Sequence, residues 1–81
     1  MLKLFFLGAP WCPQCPLSKA NFERAMQKFP YLGWEYVDIE SNPDFGRKFD
    51  IMSVPTVIAL HEGAEVARMG TGTTLQYKKM I

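Results

Sequence analysis

The chain has 81 residues, with nine Lys or Arg, eight Asp or Glu, one His and a net charge of +1. That length allows one domain, residues 1–81, and the interspersed charges leave no basic patch for nucleic acid or for an anionic membrane. Hydrophobic residues are 48% of the chain, including six Phe, three Tyr and two Trp, which supplies a core, and no apolar run approaches the ~20 residues that span a bilayer.

Leu2 to Leu7 is apolar apart from Lys3, the pattern of a strand covered on both faces. The run Leu4–Leu7 is shorter than a signal peptide's apolar region of ~7–15 residues, and no small-residue cleavage site follows it. It reads as a strand, and the expected compartment is a reducing cytoplasm. Gly8-Ala9-Pro10 ends the strand. From Pro13 to Phe29 the period becomes helical, with Phe22, Ala25, Met26 and Phe29 on one face and Pro30 as the stop. Trp34 to Ile39 reads as a second strand.

Asn42-Pro43-Asp44 is a helix start, with Pro43 suited to the first helical position and Asp44 to the positive end. Phe45 and Phe49 would face the core from this short helix. Val54 to Leu60 is a third strand and Ala64 to Met69 a fourth, joined by a two-residue turn at Glu62-Gly63. Gly70 and Gly72 separate it from a last short helix beginning near Thr73. The order β-α-β-α-β-β-α predicts an α/β fold: a four-stranded mixed sheet flanked by helices, with a parallel crossover first and an antiparallel hairpin last.

Both cysteines lie in Ala9-Pro10-Trp11-Cys12-Pro13-Gln14-Cys15-Pro16. A bridge between them closes so short a loop that it restrains the unfolded chain very little, which favours chemistry over stapling. Cys15 falls on the stripe of Phe22, Met26 and Phe29 and is expected to be buried. Cys12 precedes Pro13 and reads as the N-cap, its sulfur projecting from the strand end beside free N–H groups, with Gln14 and Cys15 as the nearest donors. Those groups and the helix dipole favour a thiolate. Cys12 is therefore the expected nucleophile and Cys15 the resolving thiol. No Lys or Arg adjoins the pair in sequence, so the helix terminus carries the activation. A structural zinc site needs four ligands, and only His61 could add a third here; no metal is expected.

Trp11-Cys12-Pro13-Gln14-Cys15, between a strand and a helix, resembles the active site of the thioredoxin and glutaredoxin superfamily. Tyr36-Val37-Asp38-Ile39-Glu40-Ser41-Asn42-Pro43 and Phe49-Asp50-Ile51-Met52-Ser53-Val54-Pro55-Thr56 resemble a thioredoxin's next strand, helix and cis-proline loop. Glu62-Gly63-Ala64-Glu65-Val66 and Gly70 resemble its closing hairpin and the glycine after it. The resemblance covers nearly the whole chain and implies a minimal thioredoxin fold, lacking thioredoxin's extra N-terminal strand and helix.

The resemblance further implies a protein-disulfide reductase that cycles Cys12 and Cys15 between dithiol and disulfide, with no bound cofactor. Trp11, Pro13, Gln14, Val54, Pro55 and Gly70 would meet the substrate, with Val54–Pro55 cis and the Val54 backbone pairing with an extended substrate strand. An NADPH-dependent flavoprotein resembling thioredoxin reductase would supply the electrons, and the protein would act as a monomer. Phe6 stands where thioredoxins carry a buried aspartate and Tyr36 where they carry its lysine partner. That leaves the proton acceptor of Cys15 open, with Asp38 set against its plainer reading as a solvated strand-end carboxylate. Gln14, Thr73 and Thr74 stand where glutaredoxins carry glutathione contacts. The rival readings are a glutathione-dependent glutaredoxin and, in other classes, a metal-binding module or a redox-inert interaction domain.

Overall fold

The computed structural model describes residues 2–81. Seven elements follow in chain order: strand β1 (Leu2–Gly8), helix α1 (Cys15–Met26), strand β2 (Gly33–Asp38), helix α2 (Pro43–Lys48), strands β3 (Thr56–His61) and β4 (Ala64–Met69), and helix α3 (Thr74–Met80). The strands form one four-stranded sheet in the order β2-β1-β3-β4. β1 pairs parallel with β2, from Lys3↔Gly33 to Gly8↔Asp38, and antiparallel with β3, from Leu2↔His61 to Leu7↔Thr56. This is the mixed sheet expected from the sequence.

Alternation along β1 builds two cores. Leu4 and Phe6, both fully buried, join Phe22 of α1, Val57 of β3 and Tyr77 of α3 on one face. Leu7 joins Val37 and Ile58 on the other, where Phe5, Phe45 and Phe49 pack against them. Helices α1 and α3 thus cover one face and α2 the other. The Phe22 ring is the hub of the larger core, lying 5.7 Å from Phe6, 5.1 Å from Trp34 and 5.5 Å from Tyr77, centroid to centroid. The last two contacts are edge-on, an arrangement the aromatic quadrupole favours.

Several boundaries differ from the sequence reading for local reasons. Helix α1 ends at Met26; the N–H groups of Lys28 and Phe29 reach back only three residues, to Ala25 and Met26, because Pro30 disfavours helical backbone at Phe29. Strand β3 begins at Thr56 rather than Val54, since Pro55 has no N–H for the ladder and the Thr56 hydroxyl donates to the Ser53 carbonyl at 2.6 Å. The hairpin turn has positive φ at both Glu62 and Gly63, the type I′ signature, and the β3 register against β4 shifts just before it, between Ala59 and Leu60. Thr73 caps α3 in a reciprocal box with Gln76: the Thr73 Oγ1 accepts the Gln76 N–H and the Gln76 Oε1 accepts the Thr73 N–H.

Two stability measurements follow. Phe22→Ala opens the hub and should cost about 3–5 kcal/mol in urea unfolding, whereas Leu17→Ala, on the exposed side of the same helix, should change it by no more than about 0.5 kcal/mol. Loss of less than about 1 kcal/mol at Phe22 would contradict the packing. The second concerns pH. Burial raises the Tyr77 hydroxyl above the ordinary phenol value of 10.0, against the opposing effect of its hydrogen bonds, the Ser18 side chain foremost. The unfolded chain then loses this proton first, so the contribution is complete below pH 10.0 and is lost as pH rises through the folded-state value. Urea midpoints taken at rising alkaline pH should fall, and the fall should be shallower in Tyr77→Phe.

Candidate active site

Cys12 and Cys15 are joined by a disulfide at the C-terminal end of β1, with Cα atoms 5.5 Å apart. The chain leaves β1 at Gly8, turns with the Cys12 N–H donating to the Ala9 carbonyl at 3.1 Å, and enters α1 at Cys15. The N-cap is Gln14, not Cys12 as the sequence reading has it, and its side chain makes no capping bond. The reason is Pro16. A helix beginning at Pro13 would need an N–H from residue 16 to the Cys12 carbonyl, and proline has none to give. The first turn instead closes from the Ser18 N–H to the Gln14 carbonyl at 3.1 Å, with Pro16 among its opening residues, where a missing N–H costs nothing.

Cys15 is buried on the core face of α1, as the period implies. Cys12 is not the exposed sulfur expected. Both residues are 5% exposed, because the core of Phe6 and Phe22 runs on past the strand end and Val54 packs against it. No acidic residue stands in the first turn of α1, so its positive end faces the sulfurs undiminished.

The other residues expected to meet a substrate gather around the pair. Val54–Pro55 is cis, and Pro55 is buried. A Cβ on Gly70 would stand 3.6 Å from the Pro55 carbonyl, so the chain after β4 runs alongside the proline loop. Next to it, the Thr71 hydroxyl donates to the Gln14 Oε1 at 3.3 Å and ties that segment to the cysteine turn. The Tyr77 hydroxyl fixes the same segment from below by donating to the Gly70 carbonyl at 2.9 Å. Pro13 and Trp11 are exposed, Trp11 at 62%, and the Trp11 Nε1–H donates to the Glu40 Oε1 at 2.8 Å.

Behind the sulfurs lies a groove of about 480 Å³ lined by Cys12, Cys15, Lys19, Glu23 and Tyr36 among others. The sequence reading overlooks Lys19 because it considers only neighbours of the cysteines in the chain. Lys19 lies four residues beyond Cys15, one helical turn on, and that spacing was the available signal. Its ammonium sits 5.3 Å from the Tyr36 ring centroid and 3.4 Å from the Glu23 carboxylate. Asp38 is occupied otherwise: its Oδ1 accepts the Glu40 N–H at 2.9 Å, which makes it a strand-end carboxylate holding the next turn. His61 pairs with Leu2, at the opposite end of β1 from the cysteines. Among the described residues no helix is long and apolar enough to cross a membrane.

Comparison with known proteins gives a consistent result. The family model described as Thioredoxin matches residues 3–80. Thioredoxin C-3 of Corynebacterium nephridii is 30% identical over 79 residues, covering 96% of this chain and 54% of that protein. The thioredoxin of Methanocaldococcus jannaschii is 31% identical over 58 residues, covering 70% of this chain and 68% of its own length. A putative thioredoxin H10 of Arabidopsis thaliana is covered over 47% of its length, so the chain spans about half of some of these relatives. In three dimensions the chain is similar to Fasciola hepatica thioredoxin, with a TM-score of 0.85 at 22% identity, covering 96% of this chain and 75% of the other.

The two sulfurs should differ once reduced. Cys12 stands in an irregular turn between exposed Trp11 and Pro13, whereas Cys15 is held in the helix above Ser18 and Phe22. Limited iodoacetamide treatment of the reduced protein, read by peptide mass spectrometry, should modify Cys12 first. Faster modification of Cys15 at every pH would reverse the roles assigned to them.

Proposed function

This chain belongs to the thioredoxin family, and from that premise we propose that it is a thiol–disulfide oxidoreductase that reduces protein disulfides. The observation that carries the reading is the Cys12–Cys15 disulfide itself, set at the start of α1 and closing a loop too short to serve as a staple. The reduced Cys12 thiolate attacks one sulfur of a substrate disulfide, forming a mixed disulfide and releasing the other substrate sulfur as a thiolate. Cys15 loses its proton and attacks the Cys12 sulfur. The Cys12–Cys15 bond forms, the bond to substrate breaks, and the second substrate sulfur leaves with its electron pair. Two electrons have passed from the dithiol to the substrate.

The surface around the pair suits an extended polypeptide. Trp11 offers a flat exposed aromatic held by Glu40, Pro13 and Gln14 form the lip of the turn, and the Val54–Pro55 loop with Gly70 beside it offers backbone for strand-like pairing. Gln14 turns its side-chain carbonyl to Thr71 rather than offering a glutathione-type contact. The reductant in this reading is therefore a flavoprotein resembling thioredoxin reductase, fed by NADPH, and the setting a reducing cytoplasm in which the protein works as a monomer.

The test is reduction of insulin, followed as turbidity, with either a thioredoxin reductase and NADPH or glutathione and its reductase as the electron source. Turnover should be faster with the former and absent in Cys12→Ser. Expressed in cells, Cys15→Ser should accumulate proteins disulfide-linked to Cys12, releasable by dithiothreitol. No insulin reduction with any reductant would remove the oxidoreductase reading, and a glutathione preference would move the chain to the glutaredoxin line.

A further inference from the structure

Phe6 and Tyr36 stand behind the cysteines, and the geometry points to a specific use for the tyrosine. Phe6 and Tyr36 are register partners on β1 and β2, and their rings stack at 6.1 Å with an interplanar angle of 21°. The stack directs the Tyr36 hydroxyl along the sheet toward Gly8. A Cβ placed on Gly8 would lie 2.9 Å from the Tyr36 hydroxyl, 3.1 Å from its Cε2 and 3.3 Å from the Cys15 Sγ. The phenol oxygen and the resolving sulfur therefore flank the same point, and it is open only because residue 8 has no side chain.

We propose that Tyr36 is a catalytic residue of the resolving step, its hydroxyl donating a hydrogen bond to the Cys15 thiolate directly or through one water. The inference rests on the dithiol cycle proposed above. In the disulfide form Cys15 is bonded to Cys12 and carries neither proton nor charge. In the mixed disulfide its S–H must ionise although the residue is buried on the core face of α1, and an uncompensated anion there is costly. The Cys15 proton leaves to water in the groove, the thiolate pair attacks the Cys12 sulfur, and the substrate thiolate departs.

No other group facing this point fits as well. From α1 the groove receives Lys19 and Glu23, but they pair with each other at 3.4 Å, and the Lys19 ammonium sits against the Tyr36 ring. From β1, residue 8 is the glycine itself and Phe6 offers only a ring stacked on Tyr36. Asp38, two residues beyond Tyr36 on β2, spends its Oδ1 on the Glu40 backbone, and Glu40 receives the Trp11 N–H. On α3, Tyr77 donates to the Gly70 carbonyl. Lys19, above the ring, favours negative charge in the groove as a whole, and Tyr36 supplies the directed donor.

The two half-reactions can be read separately with dithiobis(nitrobenzoate). Attack by Cys12 releases one nitrothiobenzoate, and attack by Cys15 on the resulting mixed disulfide releases a second, so stopped-flow absorbance resolves both phases. Tyr36→Phe keeps the ring stack and removes only the hydroxyl. Its first phase should match wild type, while the second should slow roughly tenfold or more, as befits loss of one hydrogen bond to an ion. The pH midpoint of the second phase should rise by about one unit. 3-Fluorotyrosine placed at position 36 alone, a more acidic donor of nearly the same shape, should move that midpoint the other way; it also serves if Tyr36→Phe folds poorly, which far-ultraviolet circular dichroism will show. An unchanged second phase and pH profile overturns the proposal, as does equal slowing of both phases. If wild type releases only one equivalent, it is the dithiol cycle that fails, a result distinct from either.

Discussion

Leu4 and Phe6 point to one face of β1 and Phe5 and Leu7 to the other, and both edges of the strand are hydrogen-bonded, to β2 and β3. A strand enclosed on four sides is open only at its ends, and the cysteines follow its C-terminal one. There the last residue is Gly8 and the next ordered element is α1, whose first turn carries Cys15. The position of the sulfurs is thus set by the burial of β1. Its side-chain parity also decides that Tyr36, opposite Phe6, shares the face on which Cys15 lies. Displacing β1 by one residue would exchange the two cores and send the cysteine turn to the wrong side of the sheet.

Much of this was legible beforehand because it depends on periodicity. The stripe of Phe22, Ala25 and Met26 reads as one helix face, and Cys15 takes its burial from it. The apolar run of β1 reads as a strand with two covers, and Phe45 and Phe49 supply the second of them. Ala64–Met69 and the Glu62-Gly63 turn lie where alternation and turn chemistry place them. These features rest on contacts within one element or on a single parity rule, and a sequence displays both.

What was not legible depends on which of two local rules prevails, or on distant packing. Pro13 and Pro16 both suit the start of a helix. Only the accounting for the residue-16 N–H decides for the later one and makes Gln14 the N-cap. The burial of Cys12 could not be read from its neighbours, since Val54, far along the chain, packs against the core that contains it. Lys19 does not adjoin the cysteines in the chain, yet one helical turn brings it to the same groove as the sulfurs.

Stacked aromatics behind the sulfurs ask less of the fold than a buried ion pair would. A buried ion pair is costly to desolvate and needs partners on all sides, which a domain of this size is poorly equipped to supply. Phe6 in that place is fully buried and contributes to the main core. Tyr36 is 39% exposed, so its phenol has one edge on the core and the other on the water of the groove. The chain thereby gains packing behind the sulfurs. Cys15 lines an open groove rather than a closed interior, and Gly8 leaves the point between its sulfur and the Tyr36 hydroxyl free of a side chain.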